Sequence, residues 1–319
     1  MLDKETIRSF MKVAEYSNFS KAAEALHKTP AAISYRIKVL EEDMNTQLFS
    51  RTTRSVQLTE AGEHLLSHCY KWLDWMNAIP DELQQIADGI ERKVNIVINN
   101  LLFNEEAVSG LILALHQAFP FTQINISNAV YMGVWDDLLN NDYHLAIGVP
   151  GLDTIDHTIK TTPLGKLSWN FILSPDHPLA VLDGPLKESQ LRHHPAINIE
   201  DTSQHINKRT AWLLRDQKEI KVPDLSTKTA CHINGAGIGF LPHNLAQPLI
   251  KEGKLVERKV QWSRTPSPLS LGWRIDSSGK VTQWIIELFN TNDPIIQGFL
   301  KNIDQPHTQP NAVSNAVLN

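Results

Sequence analysis

Only two cysteines, Cys69 and Cys231, occur in 319 residues. Two thiols build no disulfide framework, so a cross-linked secreted scaffold is excluded and a reducing cytoplasm is the expected compartment. Long apolar runs are also lacking. LILAL at 111–115 falls far short of the ~20 residues that cross a bilayer, so no membrane partner is expected. The opening MLDKETIRS is charged and has no signal-peptide core, so export is not expected either. Positive charge is in deficit: 30 Lys and Arg stand against 35 Asp and Glu, a formal net charge of −5. This excludes a generic polyanion binder. Affinity for nucleic acid has to come from a local patch.

Enzyme signatures are missing too. No G-x-S-x-G is present, and nothing else marks an activated nucleophile. NGAGIGF at 234–240 is not the dinucleotide fingerprint, and it precedes its strand, which suits a helix end with close backbone packing. His64 and His68 stand at i, i+4 beside Cys69, but no third ligand has suitable spacing, so a solvated helix face is expected. Trp135 and Trp273 are expected in the core. The sequence therefore predicts no catalytic residue, metal or cofactor.

What is present begins with a local basic patch. Residues 18–59 carry six cations (Lys21, Lys28, Arg36, Lys38, Arg51, Arg54) and four anions (Glu24, Glu41, Glu42, Asp43), a balance of +2. Ile7, Phe10 and Val13 mark one face of a first helix, and Ser20 is placed to cap a second, KAAEAL. Thr29-Pro30 supply the cap and first turn of a third helix. On it, Ile37 and Leu40 fall within about 40° of Ile33 at 100° per residue, a buried stripe. Tyr35, Ala31 and Lys38 point the opposite way, with Ser34 beside them and Arg36 on a flank. This spacing predicts a helix-turn-helix whose third helix enters the major groove of double-stranded DNA. LFSRTTRSVQLT at 48–59 predicts two short strands around an exposed turn, where Arg51, Thr53 and Arg54 meet phosphate or the minor groove.

Residues 60–90 follow a different rule. Leu65, Cys69, Trp72, Met76, Ile79, Leu83, Ile86 and Ile90 recur at alternating steps of 4 and 3, a coiled-coil seam. Self-association is expected there through Leu65, Trp72, Met76, Ile79 and Leu83. Pro80 predicts a kink, or a break with a restart at Asp81. From residue 94, strand-like VNIVI, TQINIS, LAIGV, WNFIL, AINI, GFLP and LSLGW are separated by helical patterns near 105–118, 134–140, 225–234, 243–251 and 280–290. Such alternation predicts an α/β fold with parallel sheets. The predicted organisation is a winged helix-turn-helix over 1–60, a linker helix over 61–90 and an α/β domain over 91–302. Its two lobes are about 91–163 with 268–302, and about 164–267. Residues 303–319 are polar, proline-containing and expected to be disordered.

The segment NFSKAAEALHKTPAAISYRIKVLEEDMNTQLFSRTTRSVQLTEAGEHLL resembles the amino-terminal domain of LysR-type transcriptional regulators. Its carriers are Phe19-Ser-Lys-Ala-Ala, Ile33-Ser34, Leu40-Glu41, Leu48-Phe49, Arg51 and Leu58-Thr59-x-Ala61-Gly62. The resemblance spans roughly residues 1–302. VNIVINNLL, YMGVWDDLL, QKEIKVPD and GIGFLP are most similar to members serving allantoin and purine catabolism genes. Where the family commonly has Gln-Pro heading the recognition helix, this chain has Pro30-Ala31, and Tyr35 replaces a frequent arginine. The resemblance implies an effector-responsive transcription factor, an activator acting as a dimer or tetramer with RNA polymerase as a partner. It implies two lobes like a periplasmic binding protein around a small-molecule effector. Matched to the family, Asn100, Tyr131, Val149, Thr202, Ser203 and Leu225 stand near effector-contact positions; Thr29 joins Ala31, Ser34, Tyr35, Arg36 and Lys38 near DNA. An enzyme or a solute-binding module carrying a DNA-binding head is the rival reading.

Overall fold

The structure is a computed structural model, and it describes residues 2–51, 56–151, 155–209 and 211–304. The chain divides into two compact units, residues 1–88 and 89–319.

The first unit opens with three helices, α1 (Lys4–Tyr16), α2 (Phe19–Ala25) and α3 (Pro30–Asp43). Asp3 caps α1, its carboxylate accepting the Thr6 N–H at 2.7 Å. Asn18, not Ser20, caps α2, accepting from both Ser20 and Lys21 N–H. The amide side chain two residues earlier reaches both orphan donors, which the Ser20 hydroxyl, already inside the helix, cannot. Thr29 caps α3 with Pro30 in the first turn. Strands β1 (Phe49–Arg51) and β2 (Val56–Leu58) pair antiparallel. Glu41 on α3 holds this hairpin, since one of its carboxylate oxygens accepts the Leu48 and Phe49 N–H groups at 2.8 and 3.0 Å. Ile7, Phe10, Val13, Ile33, Ile37, Leu40 and Phe49 are all buried in one core.

Helix α4 (Glu60–Ala87) runs unbroken through Pro80, so of the two predicted outcomes, a kink or a break with a restart at Asp81, the break does not occur. Pro80 lies exposed, so the carbonyl that loses its partner can turn to water, and the helix survives. The seam also divides. Leu65 and Cys69 are buried in the core of this unit, and Trp72 and Met76 pack against it, whereas Leu83 and Ile86 are exposed. Leu65 therefore belongs to the intramolecular core and not to an outward seam.

In the second unit the chain runs β3 (Lys93–Asn99), α5 (Glu105–Ala118), β4 (Gln123–Ala129), α6 (Gly133–Asn140), β5 (Leu145–Pro150), β6 (Ile159–Leu167) and β7 (Trp169–Leu173). It continues through α7 (Glu188–Leu191), β8 (Ala196–Ile199), β9 (Glu219–Val222), α8 (Leu225–Ile233), β10 (Gly239–Pro242), α9 (His243–Lys251) and β11 (Val256–Glu257). It closes with β12 (Ser267–Arg274) and α10 (Lys280–Asn290). One sheet has the order β4-β3-β5-β12-β6, and a second has β10-β7-β11, beside the pair β8-β9. The first sheet is mixed and the second is antiparallel, which corrects the parallel prediction. Among the described strand pairs, β3–β4, β3–β5 and β8–β9 are parallel, and β12 runs antiparallel to β5 and β6. The first two pairs are the ones with helical crossovers between their strands. Strands joined by the long excursion through the second sheet return in the opposite direction.

Helices α5 and α10 cover the first sheet with Leu111, Leu115, Val281 and Ile285. The chain passes between sheets twice: at Ser168, between β6 and β7, and over residues 258–266, between β11 and β12.

Candidate functional site

Helix α3 has the two faces that the sequence predicts. Ile33, Ile37 and Leu40 are 2, 0 and 1% exposed, while Tyr35 on the opposite side is 70% exposed. Thr29, Ala31 and Lys38 are also exposed and Ser34 is half-buried. Lys38 pairs loosely with Glu42 one turn on, at 3.6 Å. Arg36 departs from the prediction. Its guanidinium turns toward α1, 2.7 Å from Glu5 and within hydrogen-bond reach of Asp3 and Thr6, so it braces two helices rather than reaching outward. Arg51 lies on β1; Thr53 and Arg54 lie outside the described residues.

In the second unit a cavity of about 330 Å³ opens where the chain passes from β11 to β12. Asn99 at the end of β3, Tyr131 and Trp135 around the start of α6, Pro150 at the end of β5, Arg209, Arg264 and Ser267 line it. Strand ends supply this wall because the sheet's side chains stop there and the connecting loops leave room, the usual location of ligands in open sheets. Trp135 is 1% exposed, and its indole N–H donates to the Pro150 carbonyl at 3.0 Å. Trp169 donates to the Ser267 hydroxyl at 3.0 Å, which ties the two crossovers together. The Arg264 guanidinium stacks on the Trp169 ring, 3.5 Å from its centroid. Tyr131 holds φ at 49°, a left-handed conformation costly for a bulky residue.

Burial pushes the Arg264 guanidinium down from its usual range, against the Tyr131 phenol beside it. Lys228 on α8 is 6% exposed, and burial, helped by Arg264, pushes its ammonium down to about 7. His232, one turn on, is pushed to about 3 by burial and then by Lys228, although the Gly237 carbonyl at 3.1 Å favours its protonated ring.

Of the six predicted effector residues, the cavity takes Tyr131 alone. Val149 is 0% exposed in the core beneath α6, because its strand position points it away from the cavity. Leu225 opens α8 and packs on apolar clusters. Asn100 donates its backbone N–H to the Ala129 carbonyl and fixes the turn after β3. Thr202 clamps another segment, its hydroxyl accepting the Val130 N–H at 3.0 Å. Ser203 is fully buried, and its hydroxyl has no partner among the described residues. What sequence reasoning missed is Asp201 beside these two. Its carboxylate accepts four backbone N–H groups, from Met132, Gly133, Ser203 and Arg209. Arg209 and Arg264 were missed as well, since they sit in loops without any periodic signal; Arg264 is marked only by the turn-forming TPSP that follows.

Residues 5–63 match the family described as bacterial regulatory helix-turn-helix protein, lysR family, and residues 89–293 match the LysR substrate binding domain. The chain belongs to the LysR family of transcriptional regulators. Over 300 residues it is 53% identical to the HTH-type transcriptional activator AllS of Salmonella typhimurium, covering 94% of this chain and 97% of that protein. It is 31% identical over 293 residues to the HTH-type transcriptional regulator PunR of Escherichia coli, covering 92% and 94%. Among solved structures, a Corynebacterium glutamicum OxyR C206 mutant superposes with a TM-score of 0.56 over 93% of each chain at 17% identity, a likeness of fold. The helix-turn-helix and the α/β unit found here are those of this LysR-type architecture.

Proposed function

We propose that this LysR-family chain is a cytoplasmic transcriptional activator that binds operator DNA as an oligomer, engages RNA polymerase and responds to a small effector in the cavity of its second unit. One observation carries the DNA-reading part. The inner stripe of α3 is almost fully buried while Tyr35 and Lys38 opposite it are exposed. A helix built so offers its outer face to a groove. No helix among the described residues is long and apolar enough to cross a membrane.

Effector binding in the cavity would act by favouring one arrangement of the two sheets over another, a population shift set by differential affinity. The gene set we assign, allantoin or purine catabolism, rests on the sequence resemblance. Genomic footprinting with and without purine-degradation metabolites tests the whole reading. A metabolite-dependent footprint upstream of such genes is the expected result; footprints elsewhere, unmoved by these metabolites, overturn the gene set.

A further inference from the structure

Cations collect beside the cavity, and among the described residues no carboxylate pairs with them. Arg209 and Arg264 line it. Lys228, almost fully buried, is close enough to Arg264 for the two charges to repel. Among the described residues these three form no ion pair, and no carboxylate acts on Arg264 or Lys228; the neutral Tyr131 phenol is the group that favours the Arg264 charge. Asp201, 3% exposed, accepts the backbone N–H of Arg209, and its two oxygens are already taken by the four backbone N–H groups named above.

Buried charge without a counter-ion is expensive, and proteins hold it where a ligand brings the opposite charge. The geometry favours a planar anion. The Trp169 stack occupies a face of Arg264 and fixes it; a guanidinium so held presents a fork of N–H donors that matches a carboxylate. About 330 Å³ lies at the small end of ligand pockets, roughly 300–1,000 Å³, which selects a small metabolite.

We propose that the cavity takes a small carboxylate, its anionic group on Arg264, with Arg209 and Tyr131 at the rim and the buried Lys228 as a further positive charge behind Arg264. This deepens the effector reading above and rests on it.

Calorimetry on the full chain tests it with matched probes: glycolate, oxamate and N-carbamoylglycine, each against its neutral amide, and inorganic phosphate. At least one carboxylate should bind about ten-fold or more tightly than its amide, and Arg264→Gln and Lys228→Met should each weaken it by about ten-fold or more. Lys228→Met removes a buried charge and should fold at least as well as wild type, so a loss of binding there is not a loss of structure. The proposal is overturned if amides match their acids, if both variants bind like wild type, if phosphate alone binds, or if none of these probes binds. Thr265→Trp, which narrows the cavity, separates the two readings. A neutral amide that it expels keeps the cavity as the effector site and removes the anion. A carboxylate that needs Arg264 but ignores Thr265→Trp removes the cavity.

Discussion

The Arg36 guanidinium sits 2.7 Å from the Glu5 carboxylate, so a cation of the groove-facing helix is turned inward onto its neighbour. The pair is partly exposed, and solvent screens it. Arg36→Ala should cost at most about 1 kcal/mol of stability and leave the salt dependence of operator affinity unchanged. Lys38→Ala, by contrast, should lower the salt slope by about one unit if Lys38 neutralises a phosphate. Fluorescence anisotropy across a salt series separates the two.

Tyr35→Ala and Ile37→Ala should fail in opposite ways. Tyr35 is 70% exposed and Ile37 fully buried. Losing Ile37 removes core contacts and leaves a void, roughly 2–5 kcal/mol by urea unfolding. Losing Tyr35 should leave the unfolding midpoint near wild type and weaken operator binding.

Self-association should depend on the exposed end of α4. Leu83 and Ile86 are 60 and 39% exposed, whereas Leu65 is 8% exposed within the core. Leu83→Asp with Ile86→Asp should shrink the species seen in sedimentation without unfolding it. Leu65→Asp should instead unfold the first unit, because a charge is forced into its core.

Gly133 and Thr202 are fitted to each other. A Cβ on Gly133 would lie 1.9 Å from the Thr202 hydroxyl oxygen. Gly133→Ala should therefore push the 201–205 segment away and cost about 1–3 kcal/mol. In the double variant with Thr202→Ala part of that cost should vanish, a coupling that a double-mutant cycle reads directly.

Stability should climb with pH in two windows. Lys228 in the folded chain releases its proton above about 7, while the unfolded chain keeps it to about 10.4. Between those values the unfolded state binds more protons, so stability rises with pH; below about 7 both states are charged and the full burial penalty remains. His232, held near 3 when folded, gives the same sign between about 3 and 6.5. Lys228→Met should flatten the upper window and raise stability at pH 6 by roughly 3–5 kcal/mol, measured by urea unfolding across pH.

Periodic signals were legible in the sequence, and one-off contacts were not. The stripe Ile33, Ile37, Leu40 gave the phase of α3, and seven apolar runs in the second half became strands. β6 and β9, with their irregular burial patterns, and the two-residue β11 left no such trace. Strand direction was beyond reach, because alternation records which elements follow one another and not which way a returning strand runs. At the cavity the polar turn residues drew attention, yet Thr202 uses its hydroxyl on the backbone, as Thr in turns commonly does. Arg209 and Arg264 carry the charge from irregular loops, where only the folded chain brings them together.

The position of β12 between β5 and β6 has a consequence for synthesis. As the chain leaves the ribosome, β5 and β6 emerge with no strand to join them. The pairing edges they will share with β12 stay open while about a hundred further residues are made. Over that interval β7 and β10 can pair and close their own sheet, so the later half of the unit is finished before the earlier one. Open strand edges are where nascent chains pair wrongly, and delayed arrival of Ser267–Arg274, by slow translation or truncation, exposes this chain at that step.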